Sequence, residues 1–285
     1  MITLQNLTYF YTRKSEAALA NINASIPPGI HLLLGENGAG KTTLLNIING
    51  ALIPSSGRCL IDGTDTRLRL PSVSSRMAMM SADPSMPLSN IGLMERYHAP
   101  FYPNFSSEKL KRYLEAFQVD PFMKFSSMSL GTLHKAAIAY TLSLQPDILL
   151  MDEPANGLDI ESKEQLSKML TEYGSEERTL IVSTHTISDL VTLYDSVIVM
   201  QDCHLLLAAT AEQILDRMSF FSSGSVPEEA IYYETTGGRF QIIGAAEDFP
   251  DAPYEVDYRL LYHAIHSPAS NRIIDILNTP SSETL

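Results

Sequence analysis

The chain has 285 residues, enough for one large domain or two modest ones, and its 45% hydrophobic and 19% charged content is ordinary for a globular protein. A net charge of −13, with Lys and Arg forming no run, opposes broad contact with nucleic-acid phosphates, so no nucleic-acid partner is expected. The longest apolar runs, such as Ile148–Met151 and Val197–Met200, are too short to span a bilayer, and the first residues lack the basic flank and apolar core of a secretion signal. The two cysteines, Cys59 and Cys203, have no metal-ligand spacing and read as reduced thiols of a cytoplasmic protein.

In chain order, Ile2 to Tyr11 alternates like a half-exposed strand, and after a polar turn at Thr12 to Glu16 the segment Ala18 to Ile26 reads as its hairpin partner. Pro27-Pro28-Gly29 breaks that strand before an apolar run, Ile30 to Leu34. Next come Gly35-Glu36-Asn37-Gly38-Ala39-Gly40-Lys41-Thr42-Thr43 and a predicted helix, Thr42 to Ile48. Strand, glycine-rich loop and helix in this order make a phosphate-binding loop. The glycines let backbone N–H groups turn inward, and the following helix offers free N–H groups and the positive end of its dipole. Lys41 can reach the β- and γ-phosphates, and the Thr42 hydroxyl can coordinate Mg²⁺. A bound nucleoside triphosphate is therefore predicted.

Turns at Pro54 to Gly57 and Asp62-Gly63 bracket a short strand, Arg58 to Ile61, and a methionine-rich strand, Met77 to Ser81, ends at Asp83-Pro84. From about Pro87 to Gln145 the periodicity turns helical, with predicted helices at Asn90 to Tyr97, Ser107 to Phe117 and Leu130 to Leu144. This reads as a helical insertion in an α/β core. Ile148 to Met151 resumes the sheet as a continuous apolar strand of the parallel type. Helix Ser162 to Tyr173, strand Thr179 to Ser183, helix Ile187 to Leu193 and strand Val197 to Met200 follow. Beyond about Asp216 the pattern weakens to a hairpin around Thr235 to Gly238, a helix from Tyr258 to His266, and a frayed tail over Thr279 to Leu285.

The strand ending in Asp152-Glu153-Pro154 puts two carboxylates at the carboxyl edge of the sheet, where ligands of such sheets sit. Asp152 would hold Mg²⁺ through water, and Glu153 would orient or deprotonate the attacking water. His185 follows a strand expected beside that of Asp152 and could contact a γ-phosphate oxygen, though a histidine at a strand end is usually no more than a satisfied surface or core residue.

Over roughly residues 1 to 215 the sequence resembles the ATP-binding-cassette (ABC) ATPases, of exporter type. Gly35 to Thr42 matches the family's Walker A motif, Ile148 to Asp152 its Walker B motif, Glu153 the catalytic glutamate, Ala155 to Asp159 the D-loop, and His185 the switch histidine. The resemblance implies an ATP site built on Asn37, Gly38, Ala39, Gly40, Lys41, Thr42 and Thr43, with Mg²⁺ on Thr42 and Asp152. Tyr11 falls where the family stacks an aromatic ring on adenine; a cross-strand aromatic pair is the alternative. The signature motif is altered to Met128-Ser129-Leu130-Gly131-Thr132 but keeps Ser129 and Gly131, which in the family touch the γ-phosphate across a dimer; Asp159, the last D-loop residue, is counted by the resemblance among the nucleotide-binding residues. The usual Gln after the methionine-rich strand is Ala82, which cannot ligate a metal.

The fold implied is a P-loop α/β core (residues 1–82 and 148–215) with an antiparallel β subdomain, an inserted α-helical subdomain (83–147) and a small C-terminal extension (216–285). The function implied is ATP hydrolysis powering transport. It requires a second cassette, identical or a sibling, and membrane-spanning permease subunits, on the inner face of the cell membrane. Tyr97, Phe101, Tyr102 and Phe105 sit where the family docks its permease, or else pack the helical core. A soluble cassette protein or a nucleotide-sensing regulator with weak hydrolysis is the alternative.

Overall fold

The computed structural model describes residues 1–12, 16–174, 177–185 and 194–278. The predicted helix at Ile187 to Leu193 and the tail from Thr279 lie outside the described residues, as does the centre of the turn after the first strand. The chain divides into two compact units, one of residues 1–194 and 200–205, the other of residues 195–199 and 206–285.

In the first unit, β1 (Ile2–Tyr9) pairs antiparallel with β2 (Leu19–Ile26). Ile2, Leu4, Leu7, Ile22 and Ile26 are buried, so one face of the hairpin carries the alternation seen in the sequence. β3 (Gly29–Leu34) is buried along its whole length and leads through the glycine loop into α1 (Lys41–Ile48). β4 (Ser56–Ile61) and the two-residue β5 (Thr64–Asp65) complete an antiparallel sheet of order β2-β1-β4-β5. The short α2 (Pro71–Ser74) then leads to β6 (Met77–Met80).

The inserted segment holds α3 (Ile91–Tyr97), α4 (Ser107–Ala116) and α5 (Leu130–Ser143). Each starts on a polar residue whose side chain accepts a backbone N–H of the first turn: Asn90 from Leu93, Ser106 from Lys109 and Ser129 from Thr132. α5 is buried from Ala136 through Ser143, hence its lack of a polar stripe. The aromatic cluster divides, with Tyr97 and Phe101 exposed and Tyr102 and Phe105 half-buried.

β7 (Ile148–Asp152), α6 (Ile160–Tyr173) and β8 (Thr179–Thr184) finish the nucleotide core. β3, β8, β7 and β6 lie side by side and parallel, with Leu34 opposite Thr184, Asp152 opposite Ser183 and Met80 opposite Met151. β7 and β8 are buried throughout, as strands covered on both faces must be.

β9 (Ser196–Gln201) and β10 (His204–Thr210) are hairpin neighbours, turned through Asp202 and Cys203 in left-handed backbone conformation. In the second unit α7 (Ala211–Leu215) begins with a reciprocal cap between Thr210 and Gln213. β11 (Met218–Ser223), β12 (Tyr232–Thr236) and β13 (Arg239–Ala245) form an antiparallel sheet of order β11-β13-β12. α8 (Tyr258–Ile265) and α9 (Ser270–Asn278) contribute buried Leu260, Leu261, Ala264, Ile265 and Ile273, and Met218, Phe220, Ile242 and Ile243 are buried in the sheet. Arg217 donates to the carbonyls of Ile276 and Leu277, capping the end of α9 with a cation.

Cys59 and Cys203 are free thiols. Among the described residues no helix is long and apolar enough to cross a membrane.

The β1–β4 pairing shifts register between Gln5 and Thr8, and Gly57 sits at that irregularity with φ +75°, where a Cβ would come 2.2 Å from the Asn6 carbonyl oxygen. Gly57→Ala is expected to lower unfolding stability by about 2 kcal/mol, from left-handed strain and a clash with backbone. Urea unfolding with an unchanged slope and a lower midpoint would show it; an unshifted midpoint would contradict it.

Candidate nucleotide site

The loop after β3 is shaped by close approach. A Cβ on Gly40 would lie 2.7 Å from the Ala18 carbonyl oxygen, and Gly38 and Gly40 take φ of +89° and +99°. α1 starts at Lys41 on Gly40, with no side chain capping it, so its first-turn N–H groups face the loop without intrahelical partners. The Lys41 ammonium is buried at the loop's centre, donating to the carbonyl oxygens of Gly35 at 2.6 Å and Glu36 at 3.3 Å, with Glu153 Oε1 at 3.5 Å. A buried cation among orphan N–H donors is an anion site.

The opposite wall is the end of β7. Thr42 Oγ1 donates to Asp152 Oδ2 at 2.6 Å, and Ser183 Oγ donates to Asp152 Oδ1 at 2.5 Å. The backbone N–H of Glu153 donates both to Ser183 Oγ and to the Ser183 carbonyl, each at 3.1 Å. Glu153 is a non-glycine residue at φ +50°. Its Oε2 lies 2.9 Å from His185 Nδ1 and accepts from the His185 N–H at 3.4 Å, while its buried Oε1 accepts no hydrogen bond among the described residues. Beside the buried ammonium, this unsatisfied oxygen is an acceptor facing the phosphate end of the loop.

Together these groups line a cavity of about 480 Å³. Its walls hold Asn37, Gly38, Gly40, Lys41, Thr42 and Thr43 from the loop, and Asp152, Glu153 and His185 from the strand ends. Tyr11 lines it too, two residues past the end of β1, with its hydroxyl 2.9 Å from Thr43 Oγ1 and its ring edge-on to Tyr9. Ala39 is buried beneath the loop. The Ala82 methyl faces the same cavity, and the neighbouring Ser81 hydroxyl donates to the Asp83 carbonyl. The donor set fits a nucleoside triphosphate with Mg²⁺: a hydroxyl and a carboxylate already 2.6 Å apart, a buried cation and an unsatisfied carboxylate oxygen.

Ser129, Gly131 and Asp159 are not in this cavity. They form a second cluster, where Ser129 caps α5 and the Asp159 side chain caps α6 by accepting the Ser162 N–H. Lys135 Nζ donates to Asp159 Oδ2 at 2.9 Å, and this hydrogen bond, with that of Ser162, holds the exposed Asp159 carboxyl well below the usual carboxylate range. A Cβ on Gly131 would be in ordinary contact, 3.7 Å, with the Gly157 carbonyl oxygen. The buried His134 ring, its pKa lowered by desolvation, hydrogen-bonds the Pro154 carbonyl and ties α5 to the segment after β7.

Sequence reading passed over Ser183 and Asn156, which lines the cavity. The available signal for Ser183 was a small hydroxyl inside an otherwise apolar buried strand, a group that must find partners.

Lys41→Ala removes the central cation, and nucleotide affinity is expected to fall at least about tenfold, or about 1.4 kcal/mol. Calorimetric titration with ATP checks this, and equal affinity in the variant would contradict the placement.

The ABC transporter family matches residues 19–156. A protein of Clostridium acetobutylicum named as an ABC transporter ATP-binding protein is 33% identical over 227 residues, covering 75% of this chain and 81% of that one. An energy-coupling factor transporter ATP-binding protein, EcfA2, of the same organism is 27% identical over 76% of this chain and 82% of its own length. Among solved structures, a dimeric post-hydrolysis ATP-binding cassette bound to ADP and Pi superposes with a TM-score of 0.63, at 24% identity, over 74% of this chain and 98% of that one. With the relative at 33% identity spanned over most of its length and the P-loop core in place, the chain belongs to the ABC transporter family, as one of its ATP-binding ATPases.

Proposed function

We propose that this ATPase subunit drives an exporter: two cassettes close head to tail on ATP, hydrolysis lets them part, and the motion works separately encoded membrane-spanning permease subunits from the inner face of the cell membrane. The observation carrying this reading is the separation of the two clusters. The phosphate loop, Asp152, Glu153 and His185 share one cavity, whereas Ser129 and Gly131 lie outside it at the start of α5. On a second cassette, that exposed helix start would supply the donors the cavity's open side lacks. Exposed Leu130 and Ile160 beside it suit burial against a partner.

In this reading Lys41 and the first-turn N–H groups of α1 bind the phosphates, and Tyr11 offers its ring to the base. Thr42 and Asp152 would hold Mg²⁺, which when bound would neutralise charge developing on the phosphoryl oxygens. Glu153 Oε1 takes the proton of the attacking water, and His185, on the other oxygen of the same carboxylate, keeps Glu153 oriented. Export as the direction is supported by the altered signature, Ser129-Leu130-Gly131, and by the C-terminal unit. In this reading the choice of cargo is left to the permease.

A second reading, a nucleotide-sensing regulator with weak hydrolysis, has one observation in its favour: the Ala82 methyl faces the cavity where a metal-linking amide would serve catalysis. Single-turnover hydrolysis by the parent protein separates the two.

Glu153→Gln is expected to keep ATP affinity, lower hydrolysis by about 100-fold or more, and accumulate an ATP-bound dimer by size exclusion. Turnover at the parental rate would overturn the assignment. Affinity capture from solubilised membranes should retain a polytopic protein, and inside-out vesicles carrying that complex should gain cargo on ATP addition. Cargo uptake only in right-side-out vesicles would overturn the export direction.

A further inference from the structure

We propose that Ser183 is a positioning residue for hydrolysis: its single hydroxyl sets the two carboxylates at the end of β7, fixing Asp152 for the metal and Glu153 for the water. The inference rests on the reading that this site hydrolyses ATP.

Strand register brings the Ser183 and Asp152 side chains together. Asp152 and Ser183 are opposite partners in the parallel β7–β8 ladder, and both side chains are fully buried. A serine hydroxyl has one hydrogen to give and lone pairs to receive. Here the hydrogen goes to Asp152 Oδ1 at 2.5 Å, and a lone pair takes the Glu153 N–H at 3.1 Å. Thr42 holds the remaining Asp152 oxygen at 2.6 Å.

The terminal torsion of an aspartate is broad, so one tethered oxygen leaves the carboxylate free to swing. With Oδ1 tied to β8, only Oδ2 faces Thr42, the other residue that would hold the metal. A donor that orients a ligating carboxylate tunes its metal in the same way a partner on a ligating histidine does.

The second half of the role concerns Glu153. A non-glycine residue at φ +50° persists only where its surroundings hold it. Ser183 supplies both acceptors of the Glu153 N–H, its hydroxyl and its carbonyl. The carbonyl would remain in any residue at position 183; the hydroxyl would not. Losing it frees Asp152 Oδ1 and weakens the hold on Glu153 together, without removing any atom that contacts nucleotide.

The test measures Ser183→Ala, Ser183→Thr and Glu153→Gln beside the parent. Ser183→Ala is expected to lower kcat by about 10- to 100-fold, the scale for partners that orient ligands, and to raise the Mg²⁺ concentration for half-maximal rate by a similar factor. ATP affinity measured in EDTA should stay within about twofold, since Ser183 touches no phosphate-binding group. Ser183→Thr, which restores the hydroxyl, should recover most of the rate. A purely structural serine would lower the melting temperature while leaving kcat and the Mg²⁺ dependence at parental values, and that result overturns the proposal. If Ser183→Ala does not fold, Ser183→Cys takes its place, its weaker S–H donor giving the same direction of change; parental kinetics there overturn the proposal equally. An inactive Glu153→Gln with a parental Ser183→Ala sinks this inference alone. A fully active Glu153→Gln sinks the reading of the site beneath it.

Discussion

The parallel pairing of β3, β8 and β7 is the constraint on which the site depends. Because these strands run the same way with Leu34 opposite Thr184 and Asp152 opposite Ser183, the glycine loop, the paired carboxylates and His185 all leave the sheet at one edge. Side chains alternate faces along a strand, so a slip of one residue between β7 and β8 would turn Asp152 away from Thr42 and break the hydrogen bond between them. Burial on both faces makes such a slip costly. The Thr42–Asp152 hydrogen bond then joins the start of α1 to the end of β7, closing the loop against the sheet.

What the sequence made legible was what is local. The glycine loop, the continuous apolar strands and the helix starts near Asn90, Ser107 and Leu130 all lie within a few residues of the feature they define. Lys41, Thr42, Asp152, Glu153 and His185 could be proposed because strand–loop order sends them to the same edge. Ser183 could not, because its contact with Asp152 spans 31 positions and depends on a register that periodicity leaves open. Nor could the left-handed backbone of Glu153, a residue type with no preference for that region.

The C-terminal unit was less readable for a different reason. β10 buries Leu207 and Ala209 on either side of exposed Ala208, but Leu205 to Ala209 is built only of leucine and alanine, and neither residue type marks a strand. β11 is half serine, Ser219 and Ser222-Ser223 against Phe220-Phe221, and is held by pairing with β13 rather than by its own propensity. α9 has only nine residues, Ser270–Asn278, too few to stand by intrinsic helicity, and Arg217 at its far end supplies the cap from 59 positions away. The β12–β13 hairpin, by contrast, was visible because Gly237-Gly238 supplies the positive φ its turn requires.

Two unfavourable features meet in Glu153, and their coincidence is the best internal argument for its role. Left-handed backbone at a non-glycine residue costs roughly 1–3 kcal/mol, and a buried acceptor left without a donor costs about as much again. Neither is needed to fold this sheet: a glycine at 153 would relieve the first and an apolar side chain the second. Lys41 at 3.5 Å offsets part of the charge, but that ammonium is already committed to two carbonyl oxygens of the loop. In the role proposed for it, a residue costly in the free chain, held by Ser183 at its N–H and by His185 at one oxygen, would take the proton of water on the oxygen that accepts no hydrogen bond among the described residues. The local rules of stability fail here because the site has been built for an occupant.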